Sequence, residues 1–342
     1  MLKIFARLIV LLLIVVLSAC GARDEVSSNS SGEVQLLTIY TSMYPLEYFA
    51  SEIGGAHTDV ISILPAGADA HTYEPTSKTM IDIASADAFI YNGAGLEAYA
   101  VKINQTLKDE NVMIVEATNG IVLLGSNHEH EDEPDVHEED AHEHEDGIDD
   151  HEEDVHDHED KIDDHNHGDV DPHVWLDPIR AITLAENIKN VLIDIKPDAT
   201  EDFEENFQDL KSRLEQLDEE FHSKLEAQER NKILVTHAAY GYWENAYGLE
   251  QIAINGLSPS DEPSQKKIEN VIKLVDKHDI NYLLFEQNVR PKVAEVIQSE
   301  TGVESREIHN LAVLTEDDIE KNENYFTLMH QNLEVLLSVL EK

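Results

Sequence analysis

Apolar and polar positions follow two recurring patterns from residue 34 onward. Short runs of β-branched and aromatic residues predict buried strands, and longer stretches with apolar positions three and four apart predict amphipathic helices. The predicted strands span residues 34–40, 59–64, 88–91, 112–116, 233–236, 251–254, 281–285 and 303–308. The predicted helices span residues 45–53, 77–86, 96–107, 180–195, 199–228, 264–278, 291–301 and 320–340. Strands that alternate with helices predict an α/β fold, with parallel sheets flanked by helices.

The helix predicted over residues 199–228 is the longest in the chain, and its apolar residues form one continuous stripe. The stripe consists of Phe203, Phe207, Leu210, Leu214, Leu217, Phe221 and Leu225. A coiled coil would suit this stripe, but a helix of roughly 45 Å is better interpreted as a connection laid across two lobes. A chain of 342 residues also exceeds what one core usually serves. We therefore predict an N-terminal lobe over residues 34–178, a helical segment over 179–229 and a C-terminal lobe over 230–342.

The residues before the first predicted strand have the pattern of a targeting segment. Lys3 and Arg7 precede an apolar run over residues 8–17, and a small residue precedes Cys20, the only cysteine. This pattern predicts a bacterial lipoprotein signal peptide over residues 1–20, with Cys20 lipidated by acyl chains such as palmitate. Residues 21–33 follow as a polar tether. The mature protein would be lipid-anchored at the extracellular face of the cell membrane, without an internal disulfide.

The formal net charge of the chain is −47. Residues 128–169 contain 22 Asp and Glu against one Lys, a net −21, which leaves −26 for the rest of the chain. An excess of this size argues against binding to nucleic acid or to an anionic ligand, and it suits a cation. A surface adapted to high salt or high pH explains the charge outside residues 128–169 equally well.

The acidic residues 128–169 also hold ten of the 18 histidines in the chain. Few apolar residues and mutually repelling charges exclude a packed core in this stretch. Imidazoles at repeated His-x-His spacing predict an accessory metal-binding loop within the N-terminal lobe, and a solvated acidic spacer is the alternative. The histidines of this loop are His128, His130, His137, His142, His144, His151, His156, His158, His165 and His167.

Three further histidines lie in apolar surroundings near predicted strand ends, where open α/β sheets bind ligands. His71 lies in PAGADAHTYEP after the second strand, His173 lies in DPHVWLDP, and His237 directly follows the strand KILVT. Glu286 directly follows the strand NYLLF, and three imidazoles with one carboxylate suit four-coordinate zinc. Taken singly, each histidine is more simply a surface or core residue, and Glu286 an acidic residue ahead of a helix. The histidines interpreted as ordinary surface or core residues are His57, His222, His278, His309 and His330.

Five motifs taken together carry a family resemblance: PAGADAHTYEP, DPHVWLDP, VTHAAYGYW, GLSPSDEPS and FEQNVRPKVAEVIQSETG. In this order they resemble the zinc-uptake solute-binding lipoproteins of bacterial ABC transporters. The resemblance implies metal ligands at His71, His173 and His237, with Glu286 as the fourth. It also implies two α/β lobes joined by the long helix, with Zn²⁺ bound in the cleft between them. It further implies a monomer that delivers zinc to a membrane permease powered by an ATPase.

Three other classes of protein are alternatives to a zinc carrier. Manganese- and iron-binding relatives usually have a carboxylate at the position of His237 and an Asp at that of Glu286, so this chain fits the zinc subclass better. A zinc hydrolase needs an open coordination position for water, whereas here a fourth protein ligand is available and the HExxH motif is absent from the sequence. We therefore predict that the protein is not an enzyme. A surface adhesin with a structural metal site remains the third alternative.

Overall fold

The structure is a computed structural model that describes residues 36–125, 170–288 and 290–341. The predicted signal peptide with Cys20, the polar tether and the acidic, histidine-rich loop at 128–169 lie outside these residues. In the part of the chain that the structure describes, no helix has both the length and the apolar character needed to cross a membrane.

The N-terminal half contains a four-stranded parallel sheet. Its strands are β1 (Leu37–Thr41), β2 (Thr58–Ser62), β3 (Ala88–Tyr91) and β4 (Met113–Glu116), in the spatial order β2-β1-β3-β4. The helices that accompany these strands are α1 (Tyr44–Gly54), α2 (Ser77–Ala84) and α3 (Ala100–Leu107). Ile39 of β1 and Phe89 of β3 are both fully buried, and they belong to two different clusters of the hydrophobic core. Burial on both faces is typical of a parallel sheet covered by helices.

The C-terminal half contains a second four-stranded parallel sheet with the same strand order. Its strands are β5 (Lys232–Val235), β6 (Glu250–Ala253), β7 (Tyr282–Glu286) and β8 (Glu304–Ile308), in the order β6-β5-β7-β8. The helices of this half are α6 (Gly241–Tyr247), α7 (Gln265–His278), α8 (Lys292–Thr301), α9 (Glu316–Lys321) and α10 (Tyr325–Leu340). Two parallel sheets flanked by helices confirm the predicted α/β fold class.

Two helices lie between the sheets in the chain, α4 (Pro178–Ile195) and the 26-residue α5 (Thr200–Leu225). All seven apolar residues of the predicted stripe on α5 are buried. The stripe packs against α4, against α1 of the N-terminal half and against α10 of the C-terminal half. The long helix therefore connects the two halves as predicted. The coiled-coil alternative is wrong, because the stripe is buried inside the same chain.

Two of the predicted helices differ from the structure, and one helix of the structure was not predicted. The helix predicted over residues 320–340 is two helices, because Asn322 takes a left-handed backbone (φ 55°) that ends α9 and Asn324 caps the start of α10. The helix predicted from residue 96 begins only at Ala100, after Gly93 and Gly95 have made turns with positive φ. Helix α6 was missed, since seven residues are too few to show a helical period.

Candidate metal centre

His71 lies in the loop that joins β2 to α2, and it is half-buried. Its backbone N donates to Oδ1 of Asp69 at 3.0 Å, which shapes the loop around the histidine. The same loop contacts the C-terminal half, because the backbone N of Gly67 donates to the carbonyl O of Leu314 at 2.9 Å. The N-terminal half therefore presents His71 toward the other half.

His173 lies at the start of a short 3-10 turn, and its side chain is almost completely buried. Its ring Nδ1 lies 2.7 Å from Oδ1 of Asp171, which accepts the Nδ1–H and leaves the lone pair on Nε2. The segment is held from both halves of the protein. Nδ2 of Asn92 donates to the carbonyl O of Pro172 at 3.0 Å, and the hydroxyl of Tyr242 donates to the carbonyl O of Asp171 at 2.8 Å.

His237 follows β5 at the carboxyl edge of the C-terminal sheet, and its side chain is buried. Directly after it, the backbone N of Ala238 donates to the carbonyl O of Gly256 at 2.8 Å, which ties the end of β5 to the loop after β6. Tyr240, three residues further along the chain, is also fully buried. His237 therefore lies in the interior of the protein and not on its surface.

The three histidines present their Nε2 atoms to one point. Nε2 of His173 lies 3.3 Å from Nε2 of His71 and 3.3 Å from Nε2 of His237. Two nitrogens bound to one tetrahedral zinc at about 2.0–2.1 Å lie about 3.3–3.4 Å apart. The observed separations therefore match two edges of a tetrahedral zinc site. Within residues 36–125, 170–288 and 290–341, this is the one group of three or more His, Cys, Asp or Glu side chains able to hold a metal ion.

The protonation state of His71 suits a metal ligand. Burial lowers the pKa of His71 well below its ordinary value, and the neighbouring His173 and His237 lower it further. A neutral imidazole has a free lone pair, which a metal ion needs. His71 is therefore in its ligating form at neutral pH.

Glu286 ends β7, and its side chain is 1% exposed. Its Oε2 accepts a hydrogen bond from Nδ2 of Asn310 at 2.6 Å. Its Oε1 contacts Nδ1 of His237, but neither atom makes a hydrogen bond within the described residues. The structure thus places Glu286 beside the cluster, outside the three ligand atoms that converge. The alternative of an acidic residue at a helix start is wrong, since Glu286 is in a strand and Pro291 is the residue before α8.

Sequence reasoning missed two residues that support the site, Asp171 and Asn310. Asp171 was within reach of sequence reasoning, because an acid two residues from a ligand histidine is a common outer partner. Asn310 lies 24 residues from Glu286 in the sequence, in a turn with no recognisable motif. Only the packing of β7 beside β8 brings the two residues together.

The histidines interpreted as ordinary lie away from the cluster. Four of them each contact a single carboxylate: His57 with Asp202 at 2.7 Å, His330 with Glu220 at 3.0 Å, His309 with Asp318 at 3.2 Å and His222 with Asp218 at 3.7 Å. One carboxylate and one imidazole do not make a metal site of the kind formed by the three histidines.

The fold and the site define a two-lobed α/β protein with a cluster of three histidines that could hold a metal ion. Residues 39–339 match the family described as zinc-uptake complex component A, periplasmic. The chain belongs to this family, and the membership confirms the resemblance found in the sequence.

Similar proteins have names that refer to zinc. The zinc-binding protein AdcA of Streptococcus pyogenes is 34% identical over 310 residues, covering 90% of this chain and 56% of that protein. This chain therefore spans little more than half the length of that relative. The high-affinity zinc uptake system protein ZnuA of Bacillus subtilis is 31% identical over 321 residues, covering 93% of this chain and 92% of that protein. Among solved structures, the Zn(II)-bound ZnuA-like domain of Streptococcus pneumoniae AdcA is 30% identical with a TM-score of 0.69, covering 90% of this chain and all (100%) of that domain.

Proposed function

We propose that this protein captures Zn²⁺ between its two lobes as the extracellular binding component of an ABC importer. The observation that carries the proposal is the convergence of three buried or half-buried imidazoles from three separate segments of the chain, with Nε2 of His173 lying 3.3 Å from Nε2 of each of the other two. Zinc is the cargo in this proposal. Membership in a family of solute-binding transport proteins supports a carrier and not an enzyme.

The donor atoms support zinc over manganese. Imidazole nitrogens suit zinc, whereas manganese prefers a larger number of carboxylate, carbonyl and water oxygens. Trp175 packs beside His173, with ring centroids 5.3 Å apart, and both residues are buried. An apolar wall of this kind keeps water from the metal and strengthens each metal–ligand bond.

Glu286 is the proposed fourth ligand, through its Oε1. This oxygen is buried and contacts Nδ1 of His237, so it lies directly beside one of the three imidazoles of the cluster. A buried carboxylate costs free energy unless it is hydrogen-bonded and paired with a cation. A zinc ion next to Nε2 of His237 would supply that cation after a change of the Glu286 side-chain torsions.

The remaining roles come from the sequence and the family. Cys20 would be lipidated and would hold the protein at the extracellular face of the membrane, as a monomer that meets a permease and its ATPase. The histidine-rich loop at 128–169 would raise the local zinc concentration near the cleft. The name "zinc-binding lipoprotein AdcA", given to the Streptococcus pneumoniae relative, supports the anchor.

Metal competition on the chain that begins at residue 21 tests the proposed function. Zinc is titrated against excess manganese, and the bound metal is counted by mass spectrometry, with and without residues 128–169. We expect one tightly held zinc in both proteins, lost in His173→Ala and kept in His330→Ala. Loss of tight zinc on deleting residues 128–169 would mean that the loop, and not the three-histidine cluster, is the metal binder.

A further inference from the structure

Asn310 lies in the turn after β8 and contacts two of the segments that carry the candidate ligands. Its Nδ2 donates to Oε2 of Glu286 at 2.6 Å. Its carbonyl O accepts a hydrogen bond from Nε1 of Trp175 at 2.7 Å, and Trp175 is two residues beyond His173. Asn310 itself is buried. One buried residue thus joins the end of β7 to the turn that positions His173.

Other hydrogen bonds fix the orientation of the Asn310 amide. Its Oδ1 accepts from the backbone N of Ala312 at 3.0 Å and from Nε2 of Gln287 at 3.2 Å. If the amide turned over, its NH₂ group would face these two donors and both hydrogen bonds would be lost. Nδ2 is therefore held toward Oε2 of Glu286, 2.6 Å away.

We propose that Asn310 is a specificity-determining residue that lets Glu286 offer only one oxygen to the metal. The proposal rests on the proposed role of Glu286 as the fourth ligand. In this proposal Asn310 keeps its hydrogen bond to Oε2 when the carboxylate turns, while Oε1 leaves Nδ1 of His237 and binds the metal. The metal then receives three nitrogens and one oxygen. Four such donors match the tetrahedral preference of zinc.

The same hydrogen bond disfavours metals that need more oxygen atoms. Manganese suits sites rich in oxygen with a higher coordination number. Without the Asn310 amide, Oε2 would be free to become a second ligand atom beside Oε1. A carboxylate that binds through both oxygens would raise the coordination number to five and would narrow the preference for zinc.

A matched pair of asparagines separates this role from a purely structural one. Asn332 is also buried and braces the same turn: its Oδ1 accepts from the backbone N of His309 at 2.8 Å and its Nδ2 donates to the carbonyl O of His309 at 2.7 Å. It makes no hydrogen bond to Glu286 in the described part of the chain. Asn310→Ala and Asn332→Ala therefore both loosen the turn, but only Asn310→Ala frees Oε2.

The test uses the chain from residue 21 and three readouts: zinc affinity against a chelator, the ratio of zinc to manganese affinity, and the absorption spectrum of bound Co²⁺, which distinguishes four from five ligands. In Asn310→Ala we expect zinc affinity to fall on the order of 10–100-fold. We also expect a smaller zinc-to-manganese ratio and a five-coordinate Co²⁺ spectrum. Asn332→Ala should lower the unfolding temperature and leave the ratio and the spectrum unchanged. Asn310→Leu, which keeps most of the side-chain volume and lacks the donor, should shift the ratio in the same direction even if Asn310→Ala folds poorly.

A double-mutant cycle with Glu286→Gln checks that Asn310 acts through Glu286. The effect of Asn310→Ala should disappear in the Glu286→Gln background. Additive effects, or a wild-type ratio and spectrum in both Asn310 variants, would overturn the proposal while leaving the proposed function intact. Absence of tight zinc from the wild-type protein would instead overturn the proposed function, and the role of Asn310 with it.

Discussion

A single oxygen of Asp171 accepts two hydrogen bonds from His173, one from the backbone N at 3.0 Å and one from ring Nδ1 at 2.7 Å. The two contacts fix both the backbone entering the turn and the rotation of the imidazole. Since Nδ1 is occupied, Nε2 is the atom that points at His71 and His237. An acid two residues before a histidine thus sets the direction of a candidate metal ligand.

Replacing Asp171 with Asn should lower the zinc affinity on the order of 10–100-fold, because the His173 imidazole loses its carboxylate acceptor and its preferred tautomer. Zinc affinity is measured by competition with a chelator. Asp177→Asn is the matched control from the same DPHVWLDP motif, since Asp177 caps α4 and does not contact a candidate ligand in the described structure. It should lower thermal stability and keep zinc affinity. Equal zinc affinity in wild type and Asp171→Asn would contradict the orienting role.

Replacing His237 with Ala should lower the zinc affinity more than any other single substitution. The remaining ligands stay buried, so they still cost desolvation free energy although the ligand set is incomplete. His237→Glu should instead move the preference toward manganese, since a carboxylate is a harder ligand. Competition binding with both metals measures the preference, and His330→Ala is the control. If His237→Glu keeps the metal preference of the wild type, the imidazole at this position is not what makes the site prefer zinc to manganese.

The depressed pKa of His71 predicts a pH effect on the metal-free protein. In the unfolded chain this histidine takes up a proton near pH 6.5, whereas in the folded state it stays neutral to lower pH. Above pH 6.5, His71 is neutral in both states and does not change the free energy of unfolding. As the pH falls from 6.5 toward the pKa of His71 in the folded state, only the unfolded chain takes up the proton, so the free energy of unfolding decreases. Urea unfolding at pH 7.5 and pH 5.5 should show a smaller loss of stability in His71→Ala than in wild type. The same loss in both proteins would show that His71 titrates normally.

The buried stripe on α5 predicts the stability cost of shortening one of its side chains. Leu214 is fully buried, and Leu214→Ala should lower the free energy of unfolding by about 2–5 kcal/mol. Gln216→Ala, at an exposed position two residues further along α5, should change it by less than about 0.5 kcal/mol. Chemical denaturation of both variants measures the difference. A similar small cost at both positions would mean that the stripe is not tightly packed.

Deleting residues 128–169 should slow zinc-dependent growth only when zinc is scarce. The loop holds ten histidines and would concentrate zinc near the cleft without forming the tight site. Growth of cells carrying the deletion is compared with wild type over a range of zinc concentrations. A deletion that has no effect at any zinc concentration would favour the acidic spacer over an accessory metal-binding loop.

The sequence alone determined most of the secondary structure and the identity of the three converging histidines. Strands and helices follow from local periodicity, so the order β–α–β–α and the long α5 were readable directly. His71, His173 and His237 were recognised by the motifs around them and by their places near strand ends. The predicted helix boundaries were wrong where a single backbone torsion ends the helix, as at Asn322.

Tertiary structure alone decided how those residues meet. His71 and His173 are separated by 102 residues in the sequence, and His173 and His237 by 64, yet their Nε2 atoms lie 3.3 Å apart. Asn310 reaches Glu286 only because β8 pairs with β7. Hydrophobic periodicity is a local property, whereas a metal centre depends on distances set by the packing of strands and helices far apart in the chain. That is the physical reason why the residue types were predictable and the hydrogen bonds that orient them were not.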